Sequence, residues 1–516
     1  MNHYHIVFLI IIIFFTSCKK TVNVDILIIN GKVYNGIDRY STNASIGINE
    51  DKIVYIGNDN KVIIKANKTI DAKGLIVSPG FIDPHTHADR DLLDPLKSHN
   101  LPFLMQGVTT VIVGNDGESF FPVSKFNKLY NDQGIGTNVV QLVGHGTVRK
   151  EVIGNSNKKV SKDDILKMKT LVQQEMEEGA YGISTGLFYA PGSYAETDEI
   201  IILAKNVAAF DGIYDTHLRD EGSFSIGLIP SIEEAIEIGK KAKIPVHISH
   251  IKCLGTDVWN QSDEIIYLIE KSRADGIDIT ANQYPYEASS TSLKAAVVPR
   301  WAESGGIDSL YIRYEKPNIK RQILEETGKN ILRRGGPEKL LIVNSTDPTS
   351  IGKNLLEISK TLHISPEEAV FMILKSGPIK VVSFNMNSND ITNFMVKPWV
   401  VTGSDGNHGH PRKYGSFSRK YHKYVKRENI IDLADFINNS SSLTAQIFKI
   451  HKRGKLKEGF YADVIIFNPN SFQDKADYEN PFEFSEGLEY CIINGKLSIE
   501  KGFYNGRLNG KVLLKK

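Results

Sequence analysis

Cysteine is scarce in this chain, with three residues among 516. A disulfide framework is excluded, because Cys18 ends a leader-like segment and leaves only Cys253 and Cys491. An excess of charge of one sign is also lacking. The 62 basic and 60 acidic side chains give a formal net charge of +2, which offers no surface for nucleic acid. We therefore expect a small-molecule partner.

Long hydrophobic runs and low-complexity tracts are missing as well. Hydrophobic residues make up 41% and charged residues 24% of the chain, which is ordinary for a globular protein. This balance excludes an intrinsically disordered chain and a multi-span membrane protein.

One short apolar run, Ile6 to Phe15, stands near the N-terminus. It is too short to span a bilayer but suits the core of a signal peptide. The run ends in Phe14-Phe15-Thr16-Ser17-Cys18, which resembles the lipobox of bacterial lipoproteins. Residues 1–18 are thus predicted to be a lipoprotein-type signal peptide, with export and a lipid anchor on Cys18 in a bacterial membrane, facing the periplasm. Plain secretion is the alternative, because no Lys or Arg precedes the run.

Both ends of the chain share the pattern of a small antiparallel sheet. From residue 24 to about residue 71, short β-rich runs alternate with turn signals. The same pattern returns in Ala462-Asp-Val-Ile-Ile-Phe467 and Ile492-Ile-Asn-Gly495. Because the two ends match on either side of a different middle, we predict one β-sandwich domain formed by residues 22–73 and 455–516.

The middle of the chain alternates apolar strands with helical stretches such as Asp163 to Glu178 and Ile232 to Lys243. Eight strands with crossover helices predict an α/β fold, a (β/α)8 TIM barrel over residues 74–454. An insertion at about 290–396 carries its own helical and strand-like segments. The candidate strands are Leu75 to His85, Val108 to Gly114, Val139 to His145, Ala180 to Ser184, Gly212 to His217, Ile244 to His250, Ile277 to Tyr284 and Trp399 to Asp405.

Polar residues end most of these apolar strands, where the active site of such a barrel lies. The first strand ends in His85-Thr86-His87, and alternate residues of an extended segment point the same way, so both imidazoles can reach one metal. His217, His250 and Asp405 end three later strands. Each histidine taken singly has a structural alternative, a hydrogen bond to backbone. Together the five side chains predict a divalent-metal site at the barrel mouth.

These residues resemble the amidohydrolase superfamily, and more closely the N-acyl-D-amino-acid deacylases, or D-aminoacylases. The resemblance covers essentially the whole chain after the leader. It implies a β-sandwich beside a barrel that holds one or two divalent ions, Zn²⁺, and hydrolysis of an N-acyl-D-amino acid to a D-amino acid and a carboxylate. The motifs that carry it are Gly182-Ile-Ser-Thr-Gly-Leu-Phe-Tyr189, Thr216-His-Leu-Arg219, His250-Ile-Lys252, Gln283-Tyr-Pro-Tyr286, Ser289-Ser-Thr-Ser292, Gly403-Ser-Asp-Gly406 and His410-Pro-Arg-Lys-Tyr-Gly415.

The resemblance also implies roles for the strand-end residues. His217 and His250 would hold the tighter metal, while His85, His87 and Asp405 would surround a second, weaker position. Asp405 would also be the general base, taking a proton from the attacking water and passing it to the leaving nitrogen.

Arg412 is the candidate for the substrate carboxylate, because a guanidinium can hold a carboxylate bidentately. The resemblance points to the same residue. It further implies that Tyr284 and Ser290 supply hydroxyl partners and that Tyr189 and Lys252 contact the substrate. A solvated surface position is the alternative for Lys252.

The sequence departs from the family at one position. Where those deacylases usually place a metal-binding cysteine, in a Gly-Asn-Cys-Gly setting, this chain has Gly114-Asn-Asp-Gly117. Asp116 can still coordinate or bridge, but its oxygens are harder ligands than a thiolate, so metal preference is expected to differ. The alternative is an aspartate that only forms an Asx turn. Cys253 is interpreted as a packing residue.

Two other functions fit the sequence less well. An amidohydrolase acting on a cyclic amide or on a D-amino-acid-containing peptide would keep the chemistry and change the substrate. A non-catalytic scaffold that has kept the barrel would be expected to lose ligands, and this chain differs only by the exchange at Asp116.

Overall fold

The computed structural model describes residues 20–58 and 62–515. The predicted signal peptide and its Cys18 lie outside the described residues. Within the described part, no helix has both the length and the apolar character that a membrane crossing requires.

The described residues form strands and helices with the following bounds. The strands are β1 Lys20–Ile29, β2 Lys32–Val33, β3 Ser45–Asn49, β4 Lys52–Gly57, β5 Val62–Asp71, β6 Ile76–Pro79, β7 Phe81–Asp83, β8 Val108–Val113, β9 Asn138–Gln141, β10 Val143–Gly144, β11 Gly182–Gly186, β12 Ile213–His217, β13 Val246–Ile248, β14 Ile279–Gln283, β15 Ala288–Ser292, β16 Leu340–Asn344, β17 Lys380–Phe384, β18 Val400–Thr402, β19 Val464–Phe467, β20 Leu488–Ile493, β21 Lys496–Glu500 and β22 Phe503–Tyr504. The α-helices are α1 Asp89–Leu93, α2 Leu101–Leu104, α3 Val123–Gln133, α4 His145–Ile153, α5 Lys162–Glu177, α6 Thr197–Ala208, α7 Leu228–Ala242, α8 Ser262–Ala274, α9 Leu293–Val297, α10 Ile307–Tyr314, α11 Pro317–Arg333, α12 Leu355–Leu362, α13 Pro366–Leu374, α14 Ser388–Met395, α15 Arg412–Arg419, α16 Leu433–Ser440 and α17 Ser442–Ile447.

The two chain ends meet in a β-sandwich. One sheet has the order β4-β3-β1-β5 and the other β2-β6-β19-β20-β21-β22, so the second sheet joins strands from both ends. Side chains of a strand alternate between faces, and Ile26 and Ile28 on β1 are buried on the inner face. They pack in one cluster with Val464 and Ile492 from the C-terminal end.

The segment predicted as one strand, Leu75 to His85, is two strands in the structure. β6 pairs with β19 in the sandwich, whereas β7 pairs with β8 in the barrel. The chain changes sheets at Gly80, where a Cβ would lie 2.2 Å from Thr109 Oγ1. Only glycine allows the backbone to approach Thr109 this closely. The chain passes from one sheet to the other at this glycine, so the prediction of a single strand from Leu75 to His85 was wrong.

Eight strand positions form the barrel. The barrel consists of two parallel sheets, with the orders β7-β8-β9 and β10-β11-β12-β13-β14-β18. β9 and β10 follow each other directly in the chain and together occupy one of the eight positions. Backbone hydrogen bonds close the ring: the amide of Asp405 donates to the carbonyl of His85 at 2.9 Å, and the amide of His87 donates to Gly406 at 3.2 Å. Three of the predicted metal ligands, His85, His87 and Asp405, therefore lie where the first and last barrel strands meet.

Amphipathic helices cover the outside of the barrel. On α7, Leu228, Ile232, Ala235 and Ile238 are buried at spacings of three and four, which places them on one helical face. They pack against Val246 and other barrel residues in one hydrophobic cluster. This layer fixes the strands, and through them the polar residues at the strand ends.

The insertion forms a small unit with its own core. Its antiparallel sheet has the order β15-β17-β16, and α9 to α13 enclose a separate hydrophobic cluster. The sheet begins at Ala288 and ends at Phe384, a narrower span than the predicted 290–396 at its C-terminal side. The following helix, α14, packs on α8 and β18 of the barrel instead.

Candidate active site

The carboxyl ends of five barrel strands deliver the predicted ligands to one place. Because those ends lie on one face of a (β/α)8 barrel, residues far apart in sequence converge there. His85, His217, His250 and Asp405 are buried, whereas His87 and Asp116 are partly buried. His85 and His87 follow β7, Asp116 follows β8, His217 ends β12, His250 follows β13 and Asp405 follows β18.

The Asp116 carboxylate lies at the centre of this cluster. Its Oδ1 is 3.3 Å from His85 Nε2 and 3.4 Å from His250 Nε2. The same oxygen is 3.6 Å from His217 Nδ1, and Oδ2 is 3.5 Å from His87 Nε2. The carboxylate thus faces four imidazoles rather than its own loop, which argues against a purely local Asx turn.

Asp405 closes the cluster on the opposite side. Its Oδ1 is 3.2 Å from His87 Nε2 and 3.8 Å from His85 Nε2, and its Oδ2 forms an ion pair with Arg412 Nη2 at 2.8 Å. Burial by itself raises the pKa of Asp405, but Arg412 and His87 outweigh it and hold the pKa below its usual range. The carboxylate is therefore ionised at neutral pH.

The donor set fits divalent metal. Two overlapping groups, His85/His87/Asp116/Asp405 and Asp116/His217/His250, each bring one ligand atom per residue within 4.8 Å of the others. His217 Nδ1 and His250 Nε2 are only 2.9 Å apart, and facing lone pairs repel unless a proton or a cation lies between them. His85 Nε2 and Asp116 Oδ1 are buried without a hydrogen-bond partner in the described structure. Converging imidazole and carboxylate donors are typical zinc ligands, and Asp116 can serve both groups.

Three of the six residues hold strained backbone. His250, Asp405 and Asp116 have φ angles of 35°, 48° and 57°, in the left-handed region that non-glycine residues rarely adopt. Such strain persists only where the surroundings determine it, and it concentrates at functional sites. The backbone of Gly186 also packs directly against the Asp116 loop, because a Cβ on Gly186 would lie 2.0 Å from the Asp116 carbonyl oxygen.

Glu221 is a buried carboxylate of the site that the sequence interpretation missed. Its Oε1 lies 3.0 Å from His250 Nδ1 and accepts from Lys252 Nζ, and its Oε2 lies 3.6 Å from His217 Nε2. Burial raises the pKa of Glu221, but Lys252 and the two histidines outweigh it, so the pKa lies below its ordinary range. Glu221 orients both imidazoles from behind. The available signal was an acid four positions after the strand-end His217.

Other buried polar groups fix the loops that carry the ligands. Asp83 Oδ1 accepts hydrogen bonds from the amides of His85 and Ser404 at 3.2 and 3.0 Å. Asn282 Oδ1 accepts from the amide of His250 at 2.9 Å. These bonds join the end of β7 to the end of β18 and the end of β14 to the end of β13, and so hold the strained backbone in place.

A cavity of about 740 Å³ opens above the cluster. Its lining includes the predicted substrate residues Tyr189, Lys252, Tyr284 and Ser290. Lys252 is only 6% exposed, so the surface alternative for it is excluded. The Ser290 hydroxyl is buried with no partner among the residues described. Their contacts with substrate stay predictions, but all four side chains are in reach of the cavity.

Arg412 lies behind the cavity wall. It is fully buried, and its guanidinium lies 4.6 Å from the centre of the Tyr284 ring. Its Nη2 forms an ion pair with Asp405. Nε and Nη1 have no hydrogen-bond partner in the described chain. Arg412 is not among the residues that line the cavity, so its contact with a substrate carboxylate stays a prediction. His410 shapes this loop, because its Nδ1 accepts from the Arg412 amide at 3.0 Å.

Two further side chains have structural positions. Cys253 is buried in the main barrel cluster, as the packing interpretation expects. His145 Nε2 lies 2.8 Å from Glu199 Oε1, and Glu199 also pairs with Arg149. His145 therefore belongs to a buried ion cluster beside the barrel rather than to the group around Asp116.

A (β/α)8 barrel with imidazole and carboxylate ligands at its strand ends defines a metal-dependent hydrolase. Comparison with known proteins agrees. The Amidohydrolase family matches residues 68–263. A D-aminoacylase of Alcaligenes xylosoxydans xylosoxydans is 30% identical over 516 aligned residues, covering 95% of this chain and 97% of that protein.

Solved structures match over almost the full length. An N-acyl-D-glutamate deacylase from Bordetella bronchiseptica, complexed with zinc and a phosphonate inhibitor, gives a TM-score of 0.83 at 27% identity, covering 96% of this chain and 100% of that one. A D-aminoacylase with a binuclear metal centre gives 0.82 at 28%, covering 95% and 100%. The chain belongs to the D-aminoacylase family of amidohydrolases. It is a hydrolase that acts on carbon–nitrogen amide bonds.

Proposed function

We propose that the protein hydrolyses the amide bond of N-acyl-D-amino acids in a zinc-dependent reaction, giving a D-amino acid and a carboxylate. The observation that carries the proposal is the position of Asp116, whose carboxylate faces four imidazoles at the mouth of the barrel. The zinc-complexed deacylase and the D-aminoacylase relatives support the same reaction and metal.

The six clustered side chains would hold the metal: His85, His87, Asp116, His217, His250 and Asp405. Zinc bound there would polarise the acyl carbonyl of the substrate and lower the pKa of a water molecule towards about 7. Asp405 lines the cavity and is ionised, so it is placed to accept a proton from the attacking water and to deliver it to the leaving nitrogen.

Other side chains bind and orient the substrate. The buried ammonium of Lys252, fixed by Glu221, faces the cavity and can donate to an acyl oxygen. Arg412 keeps two donors for the α-carboxylate, and Ser290 offers a hydroxyl beside it, since Arg412 Nη2 reaches the Ser290 carbonyl at 3.4 Å. Fixing the acylated amino acid at several points converts the hydrolysis into a reaction between positioned groups.

The decisive experiment is a turnover screen of the zinc-loaded protein against paired N-acetyl-D- and N-acetyl-L-amino acids. We expect activity on the D series and a loss of at least about 100-fold in kcat for Asp405→Asn, since a positioned general base contributes that much. Zinc content of the variant, measured by elemental analysis, separates lost base catalysis from lost metal. Turnover confined to cyclic amides or peptides, or no turnover with zinc bound, would refute the proposal.

We further propose that the chain is exported and anchored to a bacterial membrane, facing the periplasm, through a lipid on Cys18. The apolar run Ile6 to Phe15 followed by Phe14-Phe15-Thr16-Ser17-Cys18 supports this proposal. Labelling cells that express the chain with a tritiated fatty acid should mark the wild type and not Cys18→Ala, with Ser17→Ala as the neighbouring control. Equal labelling of Cys18→Ala, or none of the wild type, would contradict the anchor.

A further inference from the structure

A buried arginine in the cavity wall has no acidic partner. Arg334 is 4% exposed and lines the cavity above the cluster. Its Nε donates to the carbonyl of Ala296 at 3.0 Å and its Nη1 to Ser383 Oγ at 3.3 Å. In the part of the chain that the structure describes, no carboxylate forms an ion pair with it, and Nη2 has no hydrogen-bond partner.

An unpaired buried guanidinium needs an explanation, because charges buried in proteins are normally paired. Burial lowers the pKa of Arg334 to about 10, while the nearby Tyr189 acts to raise it. The side chain is therefore still cationic at neutral pH. A cavity wall that carries a charged guanidinium with a free hydrogen-bond donor is suited to an anionic ligand.

Lys380 adds a second cation to the same wall. It stands at the start of β17, lines the cavity, and its ammonium makes neither a hydrogen bond nor an ion pair with any described residue. Other cations of the site are paired: Lys252 with Glu221, and Arg412 with Asp405. Lys150 and Arg333 also line the cavity without an ion pair, but Lys150 is exposed and Arg333 donates to Asn330. Arg334 is thus the buried cation of the wall without a described counter-ion, and Lys380 is a partly buried one.

Strand β15 relates these cations to the predicted α-carboxylate position. Ser289 on β15 lies opposite Ser383, the partner of Arg334, while the next residue, Ser290, is the contact of Arg412. The anchor points of the two guanidinium groups are therefore on neighbouring strands and offset by one residue in the register, which separates their Cα atoms by about 6 Å. A ligand with two carboxylates separated by a short chain matches such a pair of sites.

We propose that Arg334, assisted by Lys380, forms a subsite for an anionic side chain, so that the substrates are N-acyl derivatives of acidic D-amino acids, D-glutamate or D-aspartate. This specificity rests on the proposed function. Arg334 binds the side-chain carboxylate and Arg412 the α-carboxylate. The hydrogen bonds to Ala296 and Ser383 hold the Arg334 guanidinium in place.

The test compares N-acetyl-D-glutamate with N-acetyl-D-glutamine, which has the same shape and a neutral side chain. Turnover and equilibrium binding by calorimetry are measured for the zinc-loaded wild type, Arg334→Met and Arg313→Met. Arg313 is the matched control, because its guanidinium also donates to two carbonyls of the insertion, those of Ala302 and Ser304, but does not line the cavity.

We expect the wild type and Arg313→Met to prefer the glutamate compound. Arg334→Met should lose that preference by about 30-fold or more, with the glutamine compound little affected, since truncating one partner of a buried charge pair has effects of this size. Lys380→Met should reduce the preference less.

Each outcome separates the subsite from the reaction. Turnover of the glutamine compound at a rate equal to or above that of the glutamate compound by the wild type overturns the subsite and leaves the deacylase intact. Equal losses on both compounds in Arg334→Met also overturn it, because they assign the residue to the shared α-carboxylate or to folding. Binding preference that depends on Arg334 without turnover of either compound supports the subsite and contradicts the proposed hydrolysis.

Discussion

Replacing Glu221 by glutamine tests whether the residues behind the cluster control the metal. The substitution keeps the shape and removes the charge that faces His250 Nδ1 at 3.0 Å and His217 Nε2 at 3.6 Å. It also leaves the Lys252 ammonium in a buried site without a carboxylate. Groups that orient metal-binding histidines from behind contribute about 10–100-fold to metal affinity or activity, which corresponds to about 1.4–2.8 kcal/mol.

We therefore expect Glu221→Gln to bind zinc about 10–100-fold more weakly than the wild type. The assay is competition with a chromogenic chelator, followed by kcat/KM at saturating zinc. Glu233→Gln is the matched control, because Glu233 is exposed on α7. Zinc affinity and kcat/KM within about threefold of the wild type would refute the view that Glu221 positions the two imidazoles.

Three further predictions concern metal preference, stability and pH. Asp116→Cys should shift metal preference towards softer ions such as cadmium, measured by competitive loading with manganese, since a thiolate replaces hard oxygens. Arg149→Met should destabilise the fold by about 3–5 kcal/mol in urea unfolding, because it leaves Glu199 buried without its guanidinium partner. Burial raises the pKa of Glu175 to about 7, so stability that is present below about pH 4.5 should fall as pH rises towards 7. Glu175→Gln should lack this fall, and identical pH dependence of the two proteins would contradict the assignment.

Periodicity and strand ends were enough to predict the barrel and most of its cluster. His217 ends β12 as predicted, and His250 follows β13 by two residues, because the apolar run that forms a buried strand stops where a polar side chain must enter the cavity. The family resemblance and the fold class are confirmed by the relatives and solved structures. The sequence could not indicate the change of sheets at Gly80, since that depends on the closeness of Thr109, a contact made only after folding.

Residues that act from loops or from behind the wall escaped the sequence interpretation for the same reason. Glu221 lies beyond the end of β12, and only the return of its loop brings it to His250. Arg412 was predicted to hold the substrate carboxylate, and that role stays a prediction. Its pairing with Asp405 and its position behind Tyr284 follow from packing and could not be read from the sequence.

Arg334 shows the limit most clearly. It follows α11 in the insertion, 70 or more residues from any cluster ligand, in a segment with no strand-end pattern. Its place in the cavity arises because β15 carries the insertion back to the barrel mouth and β17 pairs with β15. The chemistry common to the family is thus encoded at the ends of the barrel strands, where periodicity exposes it. The choice of side chain is encoded in the insertion, where only the folded contacts of Ser383 and Ala296 disclose it.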